Sequence, residues 1–205
     1  MIAIVDYGVG NLFSLCSSLK YIGQDGIITG DPAEIENCDK IILPGVGAFG
    51  DAAAKLFDSG LAEVVVQESS RGKPLLGICL GMQMLFEKSY EFGEHRGLGL
   101  LRGAVAPIEP VIPSGYKIPH IGWNALMFKG SGKSPLFKYI DEGDYVYFVH
   151  SFHAEECENS IIATAEYGAE LTAAVAEGNI YGTQFHPEKS GSVGLSILKA
   201  FAEIE

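Results

Sequence analysis

The sequence predicts a three-layer α/β sandwich with a mostly parallel central sheet and an antiparallel extension. Three observations carry that reading. The first half alternates short apolar runs with stretches of helical length, the rhythm that puts helices on both faces of a parallel sheet. Its opening run, Ile2 to Val5, is apolar throughout, as in a strand buried on both faces. The second half is richer in strands, which supply the antiparallel part.

The elements follow in order. Asn11 is placed to cap a helix from Leu12 to Tyr21. Gly26 to Thr29 makes a second strand. Asp31-Pro32 combines an N-cap with proline at the first helical position. Lys40 to Leu43 is a third strand, and a helix from about Asp51 to Ser70 ends at Arg71-Gly72. Leu75 to Ile78 is a fourth strand, and a helix-like run, Met82 to Phe86, follows it. Further strands are expected over Leu100 to Ile108, Asp144 to Val149, Ile161 to Ala165, Leu171 to Ala176 and Ile180 to Phe185. Pro107 to Pro119 holds four prolines and reads as an extended loop. Ser190 caps a last helix, Val193 to Ile204. No repeat or linker interrupts the 205 residues, so one domain over 1–205 is expected.

Composition narrows the function. A net charge of −12 speaks against nucleic acid or an anionic membrane as partner, because both need basic surface. The apolar runs fall far short of the roughly 20 residues of a membrane span. The start enters a strand without a charged leader, so no signal peptide is expected. Cys16, Cys38, Cys79 and Cys157 are scattered with no Cys-x-x-Cys pair, which supports neither a zinc ribbon nor a thioredoxin-like motif. Unpaired cysteines fit a reducing cytoplasm. Cys16 reads as core filler in its helix, and Cys38 and Cys157 as inert.

Cys79 is different. The segment Pro74-Leu75-Leu76-Gly77-Ile78-Cys79-Leu80-Gly81-Met82-Gln83 runs from strand through a Gly-x-Cys-x-Gly turn into a helix. That is the nucleophile-elbow layout with sulfur at its apex. The glycines leave room for a strained backbone at the cysteine. The helix behind the turn aims free N–H groups at the sulfur, which favours thiolate. Far along the chain, Ile180 to Phe185 leads into His186-Pro187-Glu188-Lys189. In an extended backbone residues two apart point the same way, so Glu188 can orient the imidazole while His186 serves as base toward Cys79. Such a thiolate performs acyl transfer through a thioester. The tetrahedral oxyanion needs donors: the Leu80 N–H is one, and the glycine-rich Pro44-Gly45-Val46-Gly47 can present another.

These segments resemble the class I (triad) glutamine amidotransferases, along the whole chain. The resemblance covers Asp6 to Asn11, Pro44 to Phe49, Gly77 to Gln83, Pro119-His120-Ile121-Gly122-Trp123-Asn124, Tyr147 to Ser151, and Gln184 to Lys189. It implies that family's flavodoxin-like fold and glutamine as substrate, with no cofactor. By resemblance, Cys79, His186 and Glu188 form the triad, and the N–H at Val46 turns inward to complete the oxyanion hole with Leu80. Gly47, Gln83, Glu91, Ser151 and Phe152 match positions that hold glutamine, the last two largely through backbone. Family members often carry Tyr where this chain has Phe152, so a hydroxyl role there is lost.

The Pro-Gly-Val-Gly and Gly-Trp-Asn segments bring the chain nearest to those members that deliver ammonia to a (β/α)₈-barrel cyclase in histidine biosynthesis. That implies a heterodimer, with Asn11, Trp123, Tyr147, His150 and Lys189 at or near the boundary; His120 reads as structural, at the border of that face. Three rivals stand beside this: a glutaminase of another synthase, a stand-alone γ-glutamyl hydrolase or cysteine peptidase, and a non-catalytic regulatory subunit. Two other motifs are set aside. Gly8-x-Gly10 lacks the third glycine of a dinucleotide fingerprint, where Phe13 stands. His150 and His153 lie three apart, on opposite faces of a strand, with no third ligand, so no metal is expected.

Overall fold

The computed structural model describes residues 1–130 and 132–205. Its elements are β1 (Ile2–Val5), α1 (Leu12–Tyr21), β2 (Gly26–Thr29), α2 (Pro32–Asn37), β3 (Lys40–Gly45), α3 (Phe49–Asp58), α4 (Leu61–Ser70), β4 (Leu75–Cys79) and α5 (Leu80–Gln83). Short strands β5 (Lys88–Ser89), β6 (His95–Arg96) and β7 (Ala104–Pro107) follow, then β8 (His120–Ala125) and β9 (Met127–Phe128). The chain closes with β10 (Tyr145–His150), β11 (Phe152–Glu155), β12 (Ile161–Glu166), β13 (Glu170–Glu177), β14 (Ile180–Thr183) and α6 (Gly191–Ala202).

The main sheet has the order β2-β1-β3-β4-β14-β13-β12-β9. Strands β2 through β14 run parallel, and β13, β12 and β9 continue it antiparallel. Period-two alternation divides each central strand between two cores. Ala3, Val5, Ile41 and Leu43 pack with Ile35, Phe49, Leu56, Leu61 and Val65 of α2, α3 and α4. Ile2, Ile4 and Ile42 face the other way, toward Leu15 and Leu19 of α1 and Ile197, Leu198 and Phe201 of α6. This is the three-layer sandwich expected, with the antiparallel extension in the second half. Two smaller sheets stand beside it: the β8–β10 hairpin and the order β11-β7-β5-β6.

Several expectations are corrected. The helix expected over Asp51 to Ser70 is two helices, because Gly60 turns left-handed at φ 75° and breaks the hydrogen-bond ladder. The run behind the elbow is a single turn, Leu80–Gln83, which carries little macrodipole. The strand expected from Leu100 starts only at Ala104: the N–H groups of Leu98, Leu100 and Leu101 instead cap the carbonyls of Met84 and Leu85. The proline-rich loop is not extended but turned, with the Val111 and Ile112 amides both bonded to the Ile108 carbonyl. His120 to Ala125, unassigned from sequence, is a full strand paired with β10. Neither Asn11 nor Ser190 caps its helix with a side chain, whereas Asp31 does, accepting from the Ala33 N–H at 2.9 Å.

Candidate active site

The parallel strands end at one edge, and the chemistry gathers there. Cys79, the last residue of β4, has φ 55° and ψ −110°, outside the range a side chain normally accepts. Its flanking glycines permit this by letting backbones touch. A Cβ on Gly81 would lie 1.9 Å from the Leu43 carbonyl oxygen, and one on Gly77 would lie 2.6 Å from the Gly81 oxygen. The elbow is thus wedged between β3 and its own helix turn. Leu80 opens that turn, so its N–H is among the amides that lack an intrahelical partner.

The distal pair arrives by way of β14. His186 Nδ1 and Glu188 Oε1 are 2.9 Å apart, with both side chains nearly fully buried. Pro187 opens a single helical turn between them. That turn is pinned to β10 at two points and closed on itself by a third bond. The His186 N–H donates to the Tyr147 carbonyl at 3.0 Å. The Tyr147 N–H donates to Ser190 Oγ at 3.0 Å, and the Ser190 hydroxyl donates to the His186 carbonyl at 2.6 Å. Burial by itself would lower the His186 pKa; hydrogen bonding to Cys79 and Glu188 outweighs it and raises the value to about 9. The sulfur and the carboxylate thus both favour the protonated form of the ring.

A cavity of about 290 Å³ opens over Cys79. It brings together most residues expected from sequence: Val46, Gly47, Cys79, Leu80, Gln83, Glu91, Ser151, Phe152, His150, His186 and Lys189 all line it. Gln83, expected by resemblance at the glutamine site, is buried. Its Nε2 donates to the Phe152 carbonyl at 3.1 Å and to Gln184 Oε1 at 3.0 Å. Glu91 lies beyond β5, where its Oε2 accepts the Phe49 N–H at 2.6 Å and so caps α3. Burial raises its pKa, with the Phe49 N–H and His95 pulling it back. Val46 is exposed and Gly47 has φ 95°, a conformation suited to glycine. Just before them, Tyr7 donates to the Pro44 carbonyl at 2.6 Å and tethers the strand end.

The residues expected at a partner boundary divide. Trp123 is exposed on β8 and meets the half-buried Tyr147 edge-on at 6.0 Å. Asn11 is half-buried and Lys189 exposed. His150 is buried, 6% exposed, and its ring is bonded to His120 and to the Phe152 carbonyl. Its strand alternates sides, and at this register the side chain points inward. His120 is buried as well.

Sequence reasoning missed Gln184 and Ser190 as parts of the site. Gln184 Nε2 approaches Cys79 Sγ at 3.7 Å. Its signal was available: it lies two residues before His186, hence on the same side of an extended segment. Ser190 carried no such signal, since its partner strand is distant in sequence. Among the described residues, no group of three or more His, Cys, Asp or Glu side chains is arranged to hold a metal ion. Nor is any helix among them long and apolar enough to cross a membrane.

An elbow cysteine, a buried His–Glu pair and a mostly parallel α/β sheet define the class-I glutamine amidotransferases, and the chain belongs to that family: the family profile described as "Glutamine amidotransferase class-I" matches residues 3–204. Solved structures share the fold at low identity. They include PurLQS from Thermotoga maritima (TM-score 0.76, 23% identity, 98% of this chain and 96% of that one). The glutaminase domain of Trypanosoma brucei CTPS also aligns (TM-score 0.67, 17% identity, 100% and 94%). Relatives of the same length are far more similar. The imidazole glycerol phosphate synthase subunit HisH of Wolinella succinogenes is 50% identical, covering 100% of both chains. HisH of Caldanaerobacter subterraneus subsp. tengcongensis is also 50% identical, covering 100% of this chain and 98% of its own. The particular family within the class is therefore that of the HisH subunits, glutaminases of histidine biosynthesis.

Proposed function

We propose that Cys79 attacks the side-chain amide carbon of glutamine within this cavity, in a single catalytic domain spanning 1–205. The thiol proton passes to His186 as the S–C bond forms, and the tetrahedral oxyanion is held by the N–H groups of Leu80 and Val46. As the C–N bond breaks, His186 delivers its proton to the departing ammonia. Water then attacks the γ-glutamyl thioester, with His186 as base, releasing glutamate and restoring the thiol. Glu188 keeps Nδ1 protonated and stabilises the imidazolium. Gly47, Ser151 and Phe152 offer backbone groups to glutamine, Gln83 braces them, and Glu91 takes the α-ammonium.

Ammonia released to water would become ammonium and lose its nucleophilicity, so the product is passed directly to a (β/α)₈-barrel cyclase docked over the site. Asn11, Trp123, Tyr147 and Lys189 form or border that face. Exposed Ile121 and Trp123 on β8 support it, since apolar side chains at a surface favour cover by a partner. The free cysteines accord with a cytoplasmic setting.

The observation that carries this reading is the strained Cys79 backbone in one cavity with His186, whose ring is held by the buried Glu188 carboxylate. In the complex with the cyclase, Cys79→Ala should abolish glutamine-dependent synthesis and leave ammonia-dependent synthesis. Normal glutamine use by that variant would remove Cys79 from the role.

A further inference from the structure

A continuous run of polar contacts joins the outer hairpin to the nucleophile. On β8, Asn124 donates Nδ2 to the Glu166 carbonyl at 2.5 Å and turns Oδ1 toward His120 Nε2 at 3.2 Å. His120 Nδ1 lies 2.9 Å from His150 Nε2. His150 Nδ1 lies 2.8 Å from the Phe152 carbonyl. That carbonyl also accepts from Gln83, which bonds Gln184, whose amide reaches the Cys79 sulfur.

The proton positions follow from what each atom can do. A carbonyl only accepts, so His150 Nδ1 carries the hydrogen. A neutral His150 then offers a lone pair at Nε2, and His120 Nδ1 is the donor to it; a neutral His120 then has no hydrogen at Nε2, so its 3.2 Å approach to Asn124 Oδ1 is a contact and not a hydrogen bond. Burial, above all, keeps His150 neutral, with a pKa of about 3. The His120 ring has little freedom to turn. It stacks on Phe148 at 5.0 Å and on Tyr167 at 4.0 Å, with planes within about 20° of parallel. His153 supplies the contrast: it is a buried histidine one residue past Phe152, and neither of its ring nitrogens has a partner. Burial alone therefore does not account for the bonded arrangement of the other two.

We propose that His150, held by His120, is a positioning residue for the glutaminase reaction: it fixes the Phe152 carbonyl and, through it, the Gln83–Gln184 pair beside Cys79. This rests on the reading above that glutamine occupies the cavity. Phe152 and Ser151 form one wall of that cavity. Two donors hold the Phe152 carbonyl, which fixes the Phe152–His153 peptide and so the backbone that follows the Ser151–Phe152 wall. Neither histidine touches the reacting atoms, so the loss expected on breaking the chain lies in glutamine KM more than in assembly.

The test is steady-state glutamine kinetics of the subunit in complex with the cyclase, with ammonia-dependent synthesis as the readout of folding and assembly. His150→Leu should raise glutamine KM by roughly tenfold, the effect of losing one buried hydrogen bond. His150→Asn places an amide nitrogen near the Nδ1 position and should recover most of that loss, whereas His150→Gln should not. His153→Leu should leave KM unchanged. A wild-type KM for His150→Leu, or no rescue by His150→Asn, would overturn the proposal. If the His150 variants also lose ammonia-dependent synthesis, His120→Phe decides: it keeps the ring stack but lacks the Nδ1 donor, and a wild-type KM there overturns the role of the pair. Cys79→Ala run alongside separates the two readings. Glutamine use by Cys79→Ala would sink the site assignment itself, whereas a dead Cys79→Ala with normal His150 variants would sink only the positioning role.

Discussion

His186 Nδ1 and Glu188 Oε1 sit 2.9 Å apart with almost no exposure, and the second carboxylate oxygen, Oε2, has no hydrogen-bond partner at all. The carboxylate therefore acts almost wholly on the imidazole. In the proposed mechanism His186 handles the proton, whereas Glu188 orients and stabilises the ring that does so. Glu188→Gln should consequently cost less glutaminase activity than His186→Ala, measured in the complex with the cyclase. Equal or reversed losses would contradict this division.

The same pair makes stability depend on pH. The folded pKa of His186, about 9, lies above the ordinary histidine value of 6.5. A raised pKa means the folded state holds the proton more tightly, so this contribution is complete below about pH 6.5 and is lost as pH rises through 9. Replacing Glu188 with Gln removes one of the groups that raise it. The Tm advantage of the unaltered protein over Glu188→Gln should be largest near pH 6 and shrink steadily toward pH 10. A difference that is flat across that range would exclude the charged pair.

Gly81 has no room for a side chain. A methyl there meets the Leu43 carbonyl oxygen at 1.9 Å, and the obstacle is backbone that cannot swing aside. Gly81→Ala should force β3 and the elbow apart, at about 3 kcal/mol or more, with Tm falling by roughly 6–12 °C. Because Leu80 and Cys79 adjoin it, glutaminase activity should fall further than stability does. Thermal melting together with activity measured well below Tm would check both.

The second oxyanion donor of the proposed mechanism, the Val46 N–H, stands on an exposed turn. Val46 is exposed, Gly47 has a positive φ, and Gly10, in the loop ending at Asn11, packs so closely that a Cβ would sit 3.1 Å from Pro44. A partner pressing on that loop can therefore bias the strand end. Losing one such donor costs about 2.7–4 kcal/mol, or roughly 10²–10³ in rate. The isolated subunit should accordingly be a poor glutaminase, with activity rising on addition of the cyclase and again with the cyclase's nucleotide ligand. Full activity of the subunit alone would refute the gating and favour a stand-alone hydrolase.

What the sequence determined by itself was whatever is encoded locally. The apolar run Ile2 to Val5 could only be a doubly buried strand, and Asp31-Pro32 opened a helix through contacts within three residues. The Gly77-x-Cys79-x-Gly81 turn announced its chemistry because only such a turn exposes a side chain at a strand end. The His186-x-Glu188 spacing did so because residues two apart share a side.

Tertiary structure decided the rest, because its causes lie far apart along the chain. The strand at His120 to Ala125 exists through pairing with β10, some 25 residues on, which local pattern does not reveal. Gln83 is buried because β11 and Gln184 close over it, and His150 points inward because the register of that hairpin sets it so. Ser190 left its cap to bind Tyr147 and His186 when the fold brought β10 alongside. A residue's type and immediate neighbours state what it is able to do. Which partner it meets is settled only when distant segments pack and most buried polar groups find a hydrogen bond.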